Sequence, residues 1–437
     1  MASAQGKSEE LKKKIFFTFL LLVVYRLTAQ VPIPGVDGAA LKSYFDQAQG
    51  GVLDLFNTFS GGAFKNMTVV ALGIMPYITT SIIASLLGEV WPKIKEMQED
   101  YEGQKKIQKY TRYFTVVLCC VQAYGYATLA ETFKTKAGIP VIPEPGMLFR
   151  LTAVITIAGG TMFLLWLGER ITEFGLENGV SLIIFTGIAV ELPTEIYQKV
   201  TLYRNGELAG IKFLMFFAVV LFTFYVVAFI ERSFRGVPVQ YAKQIKNNRQ
   251  FGGTQTLPVR VDTGGVMPPI LASTLIFAPL TFANFVGDTS WMKPYIEKIV
   301  QLITPGSIAY YVMFAVLIAY MTYFYAPIQF KSERISDNLK KNNAFIPGVR
   351  PGTKTKEYLD FILNRMTFFG TLFLVFICIA PTIAVSGNTR FGGTAMLILV
   401  SVSVRVMMNI QSFMLADRYQ TAYKAKGKYN GNNRKRF

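Results

Sequence analysis

The sequence predicts an all-α polytopic membrane protein with ten transmembrane helices in two inverted, pseudo-symmetric halves of five. Three observations predict this class: the apolar composition, the spacing of the apolar segments and the placement of Lys and Arg. Of the 437 residues, 51% are hydrophobic and only 16% are charged, whereas a soluble domain carries about 25% charged residues. The chain is therefore too apolar for a soluble protein.

Ten apolar segments approach the roughly 20 residues that a helix needs to cross a bilayer. The first follows Lys12, Lys13 and Lys14 like a signal peptide. No small-residue cleavage site comes after it, so we interpret it as a retained helix. The fifth is short, and prolines interrupt the seventh. The ten spans lie near 15–31, 67–87, 113–130, 148–168, 179–193, 211–230, 266–286, 307–327, 366–385 and 392–413.

The basic residues are distributed unevenly between the two predicted sides of the membrane. With the N-terminus inside, 32 of the 45 Lys and Arg residues fall in cytoplasmic segments and 11 in outer segments, counting Arg150 and Lys212 at the outer ends of their spans. Cytoplasmic loops carry such an excess in polytopic proteins. The net charge of +18 also suits a nucleic-acid-binding protein, but the asymmetry assigns it to topology. Both termini are therefore predicted to be cytoplasmic.

These spans divide the chain into a cytoplasmic N-tail (1–14), a first half (15–200), a second half (201–413) and a basic cytoplasmic C-tail (414–437). The C-tail is rich in Gly, Asn, Lys and Arg and is predicted to lack fixed structure. Two long basic loops, 231–265 and 328–365, lie in the second half. Orientation needs only a few charges, so these loops predict a docking surface for a large partner beside contact with anionic lipids. The candidate docking residues are Arg232, Lys243, Lys246, Arg249, Lys340, Lys341 and Arg350.

A short internal repeat occupies matching places in the two halves. The pattern G-[IV]-M-P-x-I occurs at 73–78 in the second span and at 265–270 at the start of the seventh. Proline-interrupted segments at equivalent positions indicate the working site of a transport protein. Small Ser and Thr residues follow each copy and would let two helices approach closely and separate. The candidate gate residues are Pro76, Thr79, Thr80, Pro268, Pro269, Ser273 and Thr274.

Catalytic motifs are missing from the sequence. There is no histidine, which excludes Ser-His-Asp triads and HExxH zinc sites. There is no P-loop or GxGxxG either, so the chain is not expected to hydrolyse a nucleotide. Gly287-Asp288 resembles part of an intramembrane aspartyl protease motif, but it lies in a predicted outer loop without a second Asp in a span. We expect no enzymatic activity, no cofactor and no metal.

The predicted spans contain few charges, with Arg26 and Arg405 as the clear exceptions. We expect Arg26 to snorkel from the outer end of the first span. An uncharged centre selects small ions poorly but suits a gate that opens by wetting of an apolar constriction. Three hypotheses remain open from the residues alone: a passive polypeptide pore with a lateral gate, a secondary transporter of small solutes with inverted repeats, and a scaffold or insertase without a pore.

Several segments together resemble one family over nearly the whole chain. They include VPIPGVD (31–37), NTFSGGAF (57–64), ALGIMPYI (71–78), GTMFLLWLGERITE (160–173), NGVSLIIF (178–185), GGVMPPI (264–270) and DNLKKNNAFIPGVRPG (337–352). On these motifs the chain resembles the SecY family, the central subunits of the bacterial protein-conducting channel. The resemblance implies an hourglass pore in the bacterial inner membrane that passes unfolded secretory polypeptides. It also implies a lateral opening between the second and seventh spans that releases transmembrane segments.

The resemblance further implies site residues and partners. An apolar pore ring would comprise Ile74, Ile78, Val180, Ile184, Ile270 and Ile398. A plug over 53–64 would include Leu53, Leu55, Phe56, Phe59, Ser60, Gly61, Gly62 and Phe64. The implied partners are SecE, SecG, the motor ATPase SecA, the ribosome, and secretory preproteins with their signal sequences. Arg350 would be an important docking contact, and no small-molecule substrate is expected.

Overall fold

The computed structural model describes residues 2–47, 57, 60–133, 140–207, 209–241, 244–246, 249–251, 253–283, 307–384 and 392–433. Most of these residues are helical. The helices are α1 (Ala2–Thr28), α2 (Gly38–Gln47), α3 (Met75–Val90), α4 (Pro92–Glu99), α5 (Tyr101–Glu131), α6 (Met147–Phe174), α7 (Gly179–Arg204), α8 (Gly210–Arg232), α9 (Met267–Ala283), α10 (Ile308–Gln329), α11 (Ser332–Lys341), α12 (Thr353–Ala384) and α13 (Gly393–Asn433). The strands are β1 (Phe234–Tyr241), β2 (Gln244–Lys246), β3 (Arg249–Phe251), β4 (Thr254–Arg260) and β5 (Ala344–Phe345).

The chain forms two compact units. The first contains Met1–Gln198 together with Val402–Phe437, and the second contains Lys199–Ser401. In the first unit, α5 packs against α3, α4 and α6, and α1 packs against α6. In the second unit, α12 packs against α8, α10 and α11, and α9 packs against α10.

Seven helices in the described part of the chain are long and apolar enough to cross a membrane: α5, α6, α7, α8, α10, α12 and α13. Two shorter apolar stretches, Met75–Gly88 in α3 and Met267–Ile276 in α9, match the predicted second and seventh spans. Along α8, Ile211, Leu214 and Leu221 are exposed. Exposed apolar side chains along a span are expected where a helix faces lipid, since lipid tails solvate them as well as a protein core does.

The second predicted span begins later than the sequence indicated. Residues 61–74 form turns, and the helix starts only at Met75. Met67 and Gly73 adopt positive φ angles of 44° and 56°, which an α-helix cannot accommodate. The turns pair instead with the preceding VPIP segment, because the Ile33 amide donates to the Met67 carbonyl and the Val69 amide donates to the Val31 carbonyl, both at 2.9 Å.

Both ends of the chain are more helical than predicted. α1 begins at Ala2 and so includes most of the predicted N-tail. α13 continues to Asn433, whereas the C-tail was expected to lack fixed structure. The tail contains several Ala, Lys and Arg residues, which are good helix formers. These residues extend a helix that the last span has already nucleated.

The two basic loops share one small sheet in the second unit, an element that the sequence pattern does not predict. β1 pairs antiparallel with β4 from Phe234 opposite Arg260 to Gln240 opposite Thr254. On its other edge, Gln240 and Tyr241 pair with β5 from the second loop. A hydrophobic cluster lies beneath this sheet and joins it to α11 and α12. Its buried members are Val237, Val239, Val259, Leu339, Ala344, Ile346, Leu359 and Ile362.

Candidate functional site

The two copies of the internal repeat have the same local backbone. Gly73 and Gly265 have φ angles of 56° and 59°, a left-handed conformation that glycine adopts without steric cost. A helix begins two residues later in each case, at Met75 and at Met267. The proline that follows lies in the first helical turn, where its missing N–H leaves no helical hydrogen bond unmade. The repeat therefore specifies how each of the two helices starts.

In the first unit, α3 carries two of the pore-ring candidates. Ile74 precedes the first residue of α3 and Ile78 lies one turn further on, and both are buried. Thr79 and Thr80 turn their hydroxyls back onto the helix, donating to the carbonyls of Met75 at 3.0 Å and Pro76 at 2.9 Å. This bonding satisfies both hydroxyls within α3 and leaves small surfaces beside the proline.

The start of α7 carries the other two ring candidates of the first unit. Val180 is half-buried and Ile184, one turn later, is buried. The Asn178 side chain accepts the Val180 amide at 3.1 Å, which is the usual interaction that caps a helix N-terminus. Gly179 lies so close to the Gly168 carbonyl that a Cβ there would be 2.0 Å from that oxygen. α6 thus fixes the position at which this helix begins.

In the second unit, Ile270 on α9 and Ile398 on α13 are buried. The hydroxyls of Ser273 and Thr274 both donate to the Ile270 carbonyl at 2.8 Å. These hydroxyls thus bond to main-chain oxygens of their own helix, as those of Thr79 and Thr80 do on α3. Pro268 and Pro269 are buried in the first turn of α9. All six ring candidates have aliphatic side chains that bind no substrate group and suit an apolar constriction.

The predicted plug lies only partly within the described residues. Leu53, Leu55, Phe56 and Phe59 fall outside them, whereas Ser60, Gly61, Gly62 and Phe64 fall inside. We call Asn57 and residues 60–65 the plug root. The Ser60 hydroxyl donates to the Asn57 carbonyl at 3.1 Å and accepts the Phe64 amide at 2.9 Å. Gly61 and Gly62 have φ angles of 65° and 86°, so the root is a tight left-handed turn.

Side chains from three helices hold the plug root. From α1, the Arg26 guanidinium donates to the Gly61 carbonyl at 2.9 Å and the Tyr25 hydroxyl donates to the Ser60 carbonyl at 3.3 Å. From α5, the Tyr126 hydroxyl donates to the Phe64 carbonyl at 2.7 Å. From α7, Glu191 accepts the Asn57 side-chain amide at 2.9 Å. The expectation that Arg26 snorkels is therefore wrong, because Arg26 turns to a main-chain oxygen in the root.

Glu191 and Asn57 are two candidate functional residues that were not predicted from the sequence. Glu191 lies near the end of the short fifth span, where its charge was the available signal. Its partner Asn57 is 134 residues away, and no local pattern connects the two.

The docking candidates lie on or beside the sheet of the second unit. Arg232 ends α8, and Lys340 and Lys341 form the exposed last turn of α11. Lys246 and Arg249 are backbone register partners in the β2–β3 pair. Lys243 lies outside the described residues. The structure thus brings basic residues from two separate loops onto one module.

Arg350 lies in the turn between β5 and α12. Gly348 and Gly352 flank it with φ angles of 82° and 102°. Its carbonyl accepts the Thr355 hydroxyl at 2.9 Å, and the Gly352 carbonyl accepts the Ser336 hydroxyl at 2.8 Å. The side chain is exposed and, within the described residues, makes no hydrogen bond or ion pair. The two bonds hold the backbone of the turn, and the Arg350 side chain extends from it into solvent.

Apolar spans, a repeated left-handed helix start and a basic module on a small sheet together define a polytopic membrane protein of the transport class. A family model described as SecY matches residues 68–407. Protein translocase subunit SecY of Haemophilus influenzae is 39% identical over 427 residues, which is 97% of this chain and 96% of that protein. The Escherichia coli subunit is 39% identical over 428 residues, with the same shares. The chain belongs to the SecY family.

Solved structures show the same fold at low sequence identity. A structure described as a protein conducting channel has a TM-score of 0.65 at 18% identity and covers 93% of both chains. A second, on the plug domain of SecY and the closed state of the channel, has a TM-score of 0.64 with the same identity and shares. Sec61 in the canine ribosome-channel complex has a TM-score of 0.60, again at 18% identity and 93% of both chains. The predicted fold class, a ten-helix multi-pass membrane protein, is confirmed.

Proposed function

We propose that this chain is the pore-forming subunit of a protein translocation channel. It passes unfolded secretory polypeptides across the membrane and releases transmembrane segments sideways into the bilayer. The observation that carries the proposal is the near full-length identity of 39% to protein translocase subunits. The two matching helix starts add support, because they place equivalent proline-containing helices in both halves of the sequence.

The apolar ring is the element to which we assign the seal. Ile74, Ile78, Val180, Ile184, Ile270 and Ile398 would close around a chain of any sequence, because branched aliphatic side chains offer no preferred partner and exclude hydrated ions. The helices after the two repeats, α3 and α9, would form the lateral gate. Pro76, Thr79 and Thr80 would line one side of it, and Pro268, Pro269, Ser273 and Thr274 the other.

The plug over 53–64 would cover the pore when no substrate is present. In support, a channel with this fold has been described with a plug domain that stabilises its closed state. The described root supplies a fixed attachment for such a segment, since it is bonded to α1, α5 and α7.

The basic module of the second unit would dock the partners that supply substrate and energy. We propose the ribosome and the motor ATPase SecA as alternating occupants, with Arg232, Lys243, Lys246, Arg249, Lys340, Lys341 and Arg350 as contacts. Sec61, a channel with this fold, has been solved in a ribosome-channel complex, which supports the first partner. SecE and SecG would complete the channel, signal sequences would open it and anionic lipids would surround it. The chain itself would catalyse no reaction.

We place the protein in the bacterial cytoplasmic membrane with both termini on the cytoplasmic side. The excess of Lys and Arg in the cytoplasmic segments supports this orientation.

Reconstitution tests the function. The complex that co-purifies with this chain is placed in vesicles with the motor ATPase, ATP and a radiolabelled preprotein. We expect the preprotein to become protected from external protease, and the protection to require ATP. Uptake of a small solute without partners or ATP, and no protected preprotein, would instead favour the secondary transporter.

A further inference from the structure

Resting on the proposed function, we infer that Glu191, Asn57 and Arg26 form a charged clamp on the plug root, and that this clamp sets how firmly the channel stays closed between substrates. All three residues belong to the first unit. The clamp is distinct from the apolar ring, because it acts on the segment that carries the plug.

One side of the clamp is a charge-assisted hydrogen bond. The Asn57 amide nitrogen donates to a carboxylate oxygen of Glu191 at 2.9 Å. The amide oxygen of the same side chain accepts the Lys65 backbone N–H at 2.8 Å. Asn57 is only 5% exposed, so water does not compete for this bridge. Asn57 thus ties both ends of the root to α7 with one side chain.

The other side of the clamp satisfies two main-chain oxygens that the left-handed turn exposes. Ser60 and Gly61 present consecutive carbonyls to α1, where Tyr25 and Arg26 donate to them. A buried carbonyl without a donor is costly, and more so in a low dielectric. The root therefore gives up both bonds if it leaves this position. The opposite charges of Arg26 and Glu191 hold the root from two helices.

The backbones of the root and α7 are in close contact at two glycines. A Cβ on Gly61 would lie 2.5 Å from the Cα of Gly187. Gly61 and Gly187 thus allow the root to lie directly against α7. Glu191 follows Gly187 by one helical turn, so this close approach brings it within hydrogen-bond distance of Asn57. We conclude that the clamp and the glycine contact stabilise the same position of the root.

A charge-exchange cycle tests the clamp in the purified channel complex. Asn57→Asp places a carboxylate against Glu191 and removes the donor. Asn57→Asp combined with Glu191→Gln restores a donor and an acceptor with their places exchanged, and keeps one negative charge in the clamp. The readout is ion conductance across planar bilayers without substrate. Glu173→Gln serves as the matched control, since Glu173 pairs with Arg170 on the exposed end of α6.

We expect Asn57→Asp to raise the basal conductance at least about tenfold, the effect of losing one hydrogen bond to a charged group. Glu191→Gln alone gives a smaller rise, because the Gln carbonyl still accepts from Asn57. The double variant returns to within about threefold of the parent protein, as a direct pairwise interaction requires. The Glu173→Gln control stays at the parent level.

Two results would overturn the clamp. One is a basal conductance of Asn57→Asp equal to that of the parent protein. The other is a basal conductance of the double variant, Asn57→Asp with Glu191→Gln, that is at least as high as that of Asn57→Asp alone. If Asn57→Asp does not accumulate in the membrane, Arg26→Met and Arg26→Lys test the other side, with a leak expected only from Met. Deletion of residues 53–64 separates the clamp from the function. A leaking deletion beside a tight Asn57→Asp refutes the clamp alone, whereas a deletion without conductance and without preprotein transport refutes the plugged channel.

Discussion

Replacing Gly61 by alanine should open the channel more than the same change at Gly62. Both glycines have positive φ angles, 65° and 86°, and a left-handed alanine costs about 1–2 kcal/mol. At Gly61 the new Cβ also lies 2.5 Å from the Cα of Gly187, whereas at Gly62 its nearest neighbour is a Glu191 oxygen at 3.6 Å. The backbone clash adds about 1–3 kcal/mol.

The root position is therefore weakened by about 2–5 kcal/mol in Gly61→Ala and by about 1–2 kcal/mol in Gly62→Ala. Since 1.4 kcal/mol corresponds to a factor of ten, Gly61→Ala should conduct about 5- to 150-fold more than Gly62→Ala without substrate. The assay is the basal conductance of the reconstituted complex, with insertion checked by a protease digestion pattern. Equal conductance of the two variants, both correctly inserted, would refute the reasoning.

Four further predictions follow from the other sites. Arg350→Glu should reduce motor-driven preprotein transport at least about tenfold without affecting insertion, because it reverses the charge of a docking contact. Lys354→Gln is the matched control. Transport of Arg350→Glu at the parent rate would exclude Arg350 from docking. Thr355→Val removes the hydroxyl that holds the Arg350 carbonyl and should weaken partner binding about 2- to 10-fold, whereas Thr355→Ser should bind normally; identical affinities by equilibrium titration would contradict this. Gly73→Ala and Gly265→Ala should each destabilise the protein by about 1–2 kcal/mol, seen as a lower unfolding temperature in detergent, and an unchanged temperature would argue against the left-handed helix start. Ile184→Ser should raise basal ion conductance by placing a hydroxyl in the seal, and a tight variant would remove Ile184 from the ring.

Long continuous apolar runs made most of the spans predictable. The sixth and eighth predicted spans, 211–230 and 307–327, differ from α8 and α10 by two residues or fewer at each end. The second span was misplaced at its start because Met67 and Gly73 leave the helical region while their neighbours remain apolar. High hydropathy indicates that a segment is buried but not that it is helical. A buried turn and a buried helix therefore have equally apolar sequences.

The sheet and the clamp depend on contacts that no local pattern contains. Strand β1 carries Gly236 and Pro238, residues that weaken a strand prediction, and its partner β5 belongs to a different loop. The repeat at 73–78 and 265–270 could be recognised in the sequence, because few residues can replace a glycine with a positive φ angle or a proline in the first helical turn. The bond between Asn57 and Glu191 joins residues far apart in sequence, so only the folded chain brings them together.

Crosslinking during transport tests the central claim, that polypeptides pass through this chain. Ile78→Cys is made in a background in which Cys119, Cys120 and Cys378 are alanine, and a preprotein stalled in mid-transport carries a cysteine-reactive probe. Leu221→Cys, on the exposed face of α8, is the matched control. We predict an adduct at residue 78 that requires ATP and the stalled preprotein, and none at residue 221. The absence of an adduct at residue 78 during active transport, or equal adducts at both positions, would contradict the account.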